Sequence, residues 1–171
     1  MKVEIKRYCS GKQRGSIRKN VVEIDDYDVW NCDYTLAQII HPLLVKFKEK
    51  KQGAPFVEDE NVPEELRSTS CAPKENEWDT DENHFKRWDW ALDEMIFAMQ
   101  EIANVNENEP PYYIKTGTME FGEIDPKKDT GSLIFNGWES TPESRASNEA
   151  YHDRVQNGCR LFGLHFQNLW S

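Results

Sequence analysis

Glu82-Asn83-His84-Phe85-Lys86-Arg87-Trp88-Asp89-Trp90-Ala91-Leu92-Asp93-Glu94-Met95-Ile96-Phe97-Ala98-Met99-Gln100-Glu101-Ile102 is the stretch that decides the fold. Phe85, Trp88, Leu92, Met95, Ile96 and Met99 recur at three- and four-residue intervals, so a helix over 82–102 is expected with these six as its core face. At about 100° per residue from Phe85, Trp90 and Phe97 project to about 140° and 120°, away from that face. A second aromatic face contacts another part of the chain, a second subunit or a ligand, and Arg87 and Glu94 flank it. Asp89 projects to about 40°, at the edge of the core stripe, with Asp93 at about 80° and Lys86 at about 100°. Their spacing predicts a Lys86–Asp89 pair at i,i+3; the alternative is a polar cluster on a pocket wall that reads hydroxyls or base edges.

Outward from this helix, an earlier one is expected from Asp33 as N-cap to about Gln52, with Gly53 as its stop. Leu36, Ile39, Ile40, Leu43, Leu44 and Phe47 form its stripe, Pro42 predicts a kink, and His41 lies off the stripe as a surface residue. Lys46, Lys48, Lys50 and Lys51 suit the negative end of the dipole. Residues 53–83 read as a long loop with one helical turn at Pro63-Glu64-Glu65-Leu66 and Trp78 as its large anchor. Thr141-Pro142-Glu143 opens a last helix through about Leu169, with Tyr151, Val155, Cys159, Phe162, Phe166 and Leu169 inward. Gly158 and Gly163 weaken that helix while permitting close helix contact. Lys2–Tyr8 and Ile17–Ile24 flank the turn-rich Ser10–Ser16 as an N-terminal hairpin, and Tyr112–Phe121 and Ser132–Trp138 are strands joined across Asp125–Gly131. The expected fold is a single α+β domain over 1–171: three main helices packed with an N-terminal β-hairpin and a small antiparallel sheet.

Composition narrows the function classes. Of the 171 residues only 37% are hydrophobic, but six Trp, six Tyr and eight Phe are too many for a disordered chain. No apolar run reaches the roughly 18–20 residues of a membrane span, and Met1–Ile5 lacks the apolar core of a signal peptide. The four cysteines (Cys9, Cys32, Cys71 and Cys159) follow no zinc or disulfide spacing, which fits a reducing compartment. Net charge is −10, yet Lys2, Lys6, Arg7, Lys12, Arg14, Arg18 and Lys19 stand against Glu4 alone in the first twenty residues. That excess of six cations leaves −16 on residues 21–171. Nucleic-acid binding, which rests on a broad basic footprint, is disfavoured; a small anion held by a few donors is not.

The strings Asp33-Tyr34-Thr35-Leu36-Ala37, His84-Phe85-Lys86-Arg87-Trp88-Asp89-Trp90 and Asp93-Glu94-Met95-Ile96 resemble those of a family of small tailed-phage proteins without an assigned activity. Gln156-Asn157-Gly158-Cys159-Arg160-Leu161-Phe162-Gly163, followed by Asn168-Leu169-Trp170, is similar too, so the likeness spans about Trp30 to Trp170. Leu164 and Ser171 depart from the family pattern, which has a lysine and an acidic residue there. The resemblance implies a phage protein acting in a bacterial cytoplasm, and it brings no catalytic residues.

Chemistry-bearing motifs are sparse. His41, His84, His152 and His165 form no catalytic spacing, and no Gly-x-Ser-x-Gly elbow occurs. A two-helix magnesium site would need carboxylates on the first helix, which carries only Glu49 near its basic end. The acids of 75–82 lack the glycine and final glutamate of a calcium loop. Gly11-Lys12-Gln13-Arg14-Gly15-Ser16 is too short for a P-loop but offers backbone N–H groups and two cations to a phosphate, unless it is a solvated turn. The expected ligand-binding set is therefore Lys12, Arg14, Arg18, His84, Arg87, Trp90 and Arg160, with no catalytic residue, metal or cofactor. The leading expectation is a homo-oligomeric binder that sequesters a nucleotide-derived immune signal of the infected host. An acidic mimic of nucleic acid, or an inhibitor docking on a host protein, comes second. A small nucleotide hydrolase using Asp89, Asp93 and His84 comes third.

Overall fold

The computed structural model describes residues 2–4, 21–76, 78–104, 117–125, 130–136 and 141–170. Strands β1 (Lys2–Glu4) and β2 (Val21–Glu23) pair antiparallel with Val3 opposite Val22. Short α1 (Asp26–Trp30) follows, then α2 (Cys32–Lys50), α3 (His84–Ala103), the antiparallel pair β3 (Thr118–Asp125) and β4 (Thr130–Asn136), and α4 (Pro142–His165). This is an α+β fold. The turn Ser10–Ser16 and parts of all four expected strands lie outside the described residues. β3 runs on to Asp125, which pairs with Thr130, so the second hairpin closes inside the expected turn.

Side-chain caps start α1 and α4. Thr141 accepts a hydrogen bond from Ser144 N at 3.1 Å and Pro142 opens α4, as the sequence predicts. Asp33, by contrast, is not a cap. Asn31 precedes α2 without a side-chain bond, because the chain has just left α1, itself started by a capping box between Asp25 and Asp28. α2 continues through Pro42 and ends at Lys50, three residues before Gly53, its cap N–H at Lys51 bonding Phe47 O at 2.8 Å.

α3 is the middle of three helices. Lys48 pairs with Asp93 and Lys51 with Asp89, so α2 runs antiparallel to α3. Tyr151 meets Glu101, Arg154 meets Glu94 and His165 meets Trp88, so α4 is antiparallel to α3 as well. Flanked on both sides, α3 buries Trp88, Ala91, Leu92, Met95, Ala98 and Met99, joined in the core by Ala37, Leu44, Val57, Val62 and Leu161. Phe85, expected inside, is 53% exposed. The small Ala91 and Ala98 take the interior instead, since close helix approach favours small side chains over large ones. The same effect leaves Leu36, Leu43 and Phe166 exposed at the margins of their stripes. Gly158 realises its expected role: a Cβ there would sit 2.3 Å from Glu94 O and 2.5 Å from Ala98 Cβ. Gly163 has nothing within 4 Å.

The segment after α2 is held by three short 3₁₀ turns, Asp59–Asn61, Glu64–Leu66 and Ser68–Ser70. The middle one is the expected turn, with Pro63 as its N-cap rather than its first helical residue. Val57 and Val62 anchor the segment in the core, whereas Trp78 is 83% exposed and anchors nothing. Asp59 accepts from the Ser68 hydroxyl and from Ser68 N, and these bonds hold its carboxyl below the usual range.

His165 is enclosed beside the Trp88 ring, with centroids 5.3 Å apart. Burial, with Arg160 as a smaller contributor, pushes its imidazole below the ordinary 6.5. The unfolded chain therefore binds a proton that the folded one refuses, so stability is full above pH 6.5 and falls as pH drops through it. Thermal melts from pH 8 to pH 5 are expected to show a declining Tm below about pH 6.5. His165→Phe should flatten that decline, and an unchanged slope would place its origin elsewhere.

Candidate functional site

Of the seven residues expected to bind a ligand, Lys12, Arg14 and Arg18 lie outside the described residues. Three of the other four are ties to the 53–83 segment. Arg87, only 4% exposed, donates to Asp81 Oδ2 at 2.7 Å and to Leu66 O at 3.1 Å. Asp81 also accepts from Asn83 N and Cys71 Sγ; the Arg87 bond, opposed by burial, leaves its carboxyl below the usual range. Buried His84 places Nε2 3.2 Å from Ala54 O, with Phe56 and Phe85 edge-on to its ring. Exposed Arg160 reaches from α4 to Asn61 Oδ1 at 2.6 Å and to Asn157 Oδ1 at 2.8 Å. Trp90 is half-buried against the core. Thus the structure gathers His84, Arg87 and Arg160 around one segment, and Trp90 is not tied to it. The expected Lys86–Asp89 pair is also replaced: Lys86 donates to Asn83 Oδ1 at 3.0 Å, and Asp89 is taken by Lys51 at 2.7 Å.

Phe97, from the second aromatic face of α3, meets α4, and a pocket of about 220 Å³ opens there between Phe97, Ser147, Ala150, Tyr151 and Arg154. The Phe97 and Tyr151 rings meet edge to face with centroids 6.4 Å apart. The Arg154 guanidinium lies 3.8 Å from the Phe97 centroid, held flat by a two-pronged bond to Glu94: Nε–Oε2 is 3.0 Å and Nη2–Oε1 2.8 Å. Tyr151 donates to Glu101 Oε2 at 3.1 Å; burial first, then this bond and the charge of Glu101, push its phenol up to about 12. The tyrosine therefore stays a neutral donor throughout the neutral range.

No protein family, curated protein or solved structure matches this chain. The chemistry of the site must be read from its own side chains.

Two rings and a stacked guanidinium make a surface for a flat, electron-rich ring. The volume falls below the roughly 300–1,000 Å³ of drug-sized pockets, so it holds one ring system and leaves the rest of a ligand outside. Arg154 is paired with Glu94, and Glu101 adds a negative charge at Tyr151. Sequence reasoning found Phe97 from its angle on the helix, Glu94 beside that face and Tyr151 as a core residue, but missed Arg154 and Glu101. Among the described residues, no three His, Cys, Asp or Glu side chains converge in a metal-binding arrangement, and no helix is long and apolar enough to cross a membrane. Half-buried Cys159 has its thiol pushed up by burial, away from a reactive thiolate.

Proposed function

We propose that the protein is a non-catalytic, homo-oligomeric binder that sequesters a nucleotide-derived immune signal in the cytoplasm of a phage-infected bacterium. One observation carries the reading: the pocket of Phe97, Tyr151 and Arg154, a stacking surface of base size in a strongly acidic chain. The base stacks there. Lys12, Arg14 and Arg18, in the basic first twenty residues of the sequence, take the phosphates. Enclosure of the exposed remainder of the ligand falls to a second subunit. The likeness of the His84–Trp90 string to phage proteins supports the setting.

The test incubates cyclic and linear nucleotides with excess protein, denatures it and chromatographs the supernatant, with titration calorimetry alongside. Recovery of intact ligand at stoichiometric capacity is expected. Base stacking on an aromatic contributes about 1–3 kcal/mol, so Phe97→Ala should weaken binding roughly 5- to 150-fold. Charge-assisted bonds contribute about 1.5–3 kcal/mol each, so replacing Lys12, Arg14 and Arg18 together should cost at least about a hundredfold. Light scattering should report a dimer or larger assembly. A monomer removes the enclosed-ligand reading and leaves docking of the acidic body on a host protein in first place. A cleaved nucleotide at more than one turnover per subunit replaces the binder with a hydrolase and turns attention to Asp89, Asp93 and His84.

A further inference from the structure

Short α1 buries none of its own side chains, yet it carries a tyrosine and a tryptophan. Tyr27 is 89% exposed and Trp30 86%, so packing in the core accounts for neither ring. Trp30 follows Tyr27 by three residues and Asp26 by four, which puts all three on one face of the helix. Among the described residues, these three line an open pocket of about 430 Å³, within the range of ligand sites. Thr35 Oγ1 of α2 donates to Asp28 O at 3.2 Å and holds α1 against the start of α2.

The carboxylates of α1 are not equivalent. Asp25 Oδ1 accepts from Tyr27 N at 2.9 Å and Asp28 Oδ2 accepts from Asp25 N at 2.8 Å, so both serve the helix start. Asp26 takes no part in that cap and, among the described residues, has no hydrogen-bond or ion-pair partner. It lines the pocket with the two rings instead. Aromatic faces carry the negative part of the ring quadrupole, and a carboxylate beside them adds a full charge, so the three side chains together attract a cation. The surroundings act in the same direction. From 21 to 45 the chain holds Glu23, Asp25, Asp26, Asp28 and Asp33 and neither lysine nor arginine.

We propose that this face of α1 docks a partner protein through an arginine side chain, whose guanidinium lies against Tyr27 and Trp30 and bonds the Asp26 carboxylate. Arginine fits better than lysine. Its planar, weakly hydrated guanidinium stacks on aromatic faces and presents a fork to a carboxylate, whereas an ammonium is a strongly hydrated point charge. A protein fits better than a free small cation. Val22, Ile24 and Val29, close neighbours in the chain and all exposed, extend the surface with apolar side chains that a small cation would leave in water. Charge complementarity sets the sign of the partner: a surface facing five acids with no cation among them must be basic. This surface is independent of the stacking pocket and stands or falls apart from it.

The experiment titrates a short peptide of alternating glycine and arginine into the full-length protein at physiological ionic strength and reads the heat of binding. Saturable binding is expected, several-fold weaker for the matching lysine peptide. Tyr27→Ala combined with Trp30→Ala should weaken the arginine peptide about tenfold, and Asp26→Asn about threefold. All three side chains are exposed, so these variants should keep the melting curve of the parent protein. Glu149→Gln removes the same charge from an exposed place on α4 and should leave the affinity unchanged. Equal losses from Glu149→Gln and Asp26→Asn overturn the proposal, because the peptide would then answer net charge alone. Equal affinity for the lysine peptide or for free agmatine also overturns it, as does absence of binding. Conversion of a dimer to a monomer by the double aromatic variant overturns it too, because a second copy would then cover this face.

Discussion

Arg87→Ala is expected to lower the unfolding free energy by about 3–5 kcal/mol, the usual cost of removing one partner from a buried ion pair. The Arg87 and Asp81 side chains are only 5% and 6% exposed, and the truncation strands the Asp81 carboxylate and the Leu66 carbonyl together. Against the roughly 5–15 kcal/mol that holds a typical domain, such a loss leaves little margin. Urea titration at pH 7 reads it as a lowered midpoint, and limited proteolysis should cut first within 53–83, the segment the pair ties down. Arg87→Lys keeps the charge but not the fork that spans carboxylate and carbonyl, so it should recover only part of the loss. The pH dependence has a definite sign. Asp81 titrates below its ordinary 3.8 in the fold, so its contribution is complete above that value and fades as pH falls towards the lower folded one. In Arg87→Ala this acid-labile component should shrink to the part that Asn83 N and Cys71 Sγ supply. A loss under about 1 kcal/mol would show that water replaces the guanidinium at little cost.

Gly158→Ala should destabilise the protein although alanine is the better helix former. Propensity alone favours the change by about 1 kcal/mol in a helix interior. The new Cβ would stand 2.3 Å from the Glu94 carbonyl oxygen and 2.5 Å from Ala98 Cβ, both fixed parts of α3. Neither neighbour can swing aside, so α4 must move out, and overpacking of this kind costs about 1–3 kcal/mol, occasionally more. Movement there also disturbs the Arg154–Glu94 fork, which rises from the same contact. We expect a net loss of about 1–2 kcal/mol and a clearly lower Tm. Gly163→Ala is the matched control: with nothing within 4 Å it should gain up to about 1 kcal/mol. Ala98→Gly placed on Gly158→Ala should restore part of the loss by returning space. Equal effects at the two glycines would mean that propensity, not contact, governs both.

Residues 82–102 carry the helix openly, because large apolar side chains recur at its period, and Thr141-Pro142 marks the start of α4 because a hydroxyl and a prolyl ring solve the first turn locally. Gly158 was legible as a close-contact position for the same kind of reason, a backbone without a Cβ. The three-helix, two-hairpin plan follows from such signals, each complete within a few residues. What the sequence left open is which way α3 faces. Its pattern ranks side chains by size and puts Phe85 inside, whereas packing between two helices rewards Ala91 and Ala98 and turns Phe85 out. Partner choice was equally hidden. Lys86 and Asp89 have ideal helical spacing, yet Asp89 is taken by Lys51 from α2 and Lys86 by Asn83. Arg87 looked like a ligand-binding cation and is tied to Asp81 and Leu66, while Arg154, unremarked in the sequence, lies over Phe97. Local period and capping are written in neighbouring residues and survive in the bare chain. Pairings across fifty or sixty residues leave no spacing to read, and exist only once the helices have chosen which faces to bury.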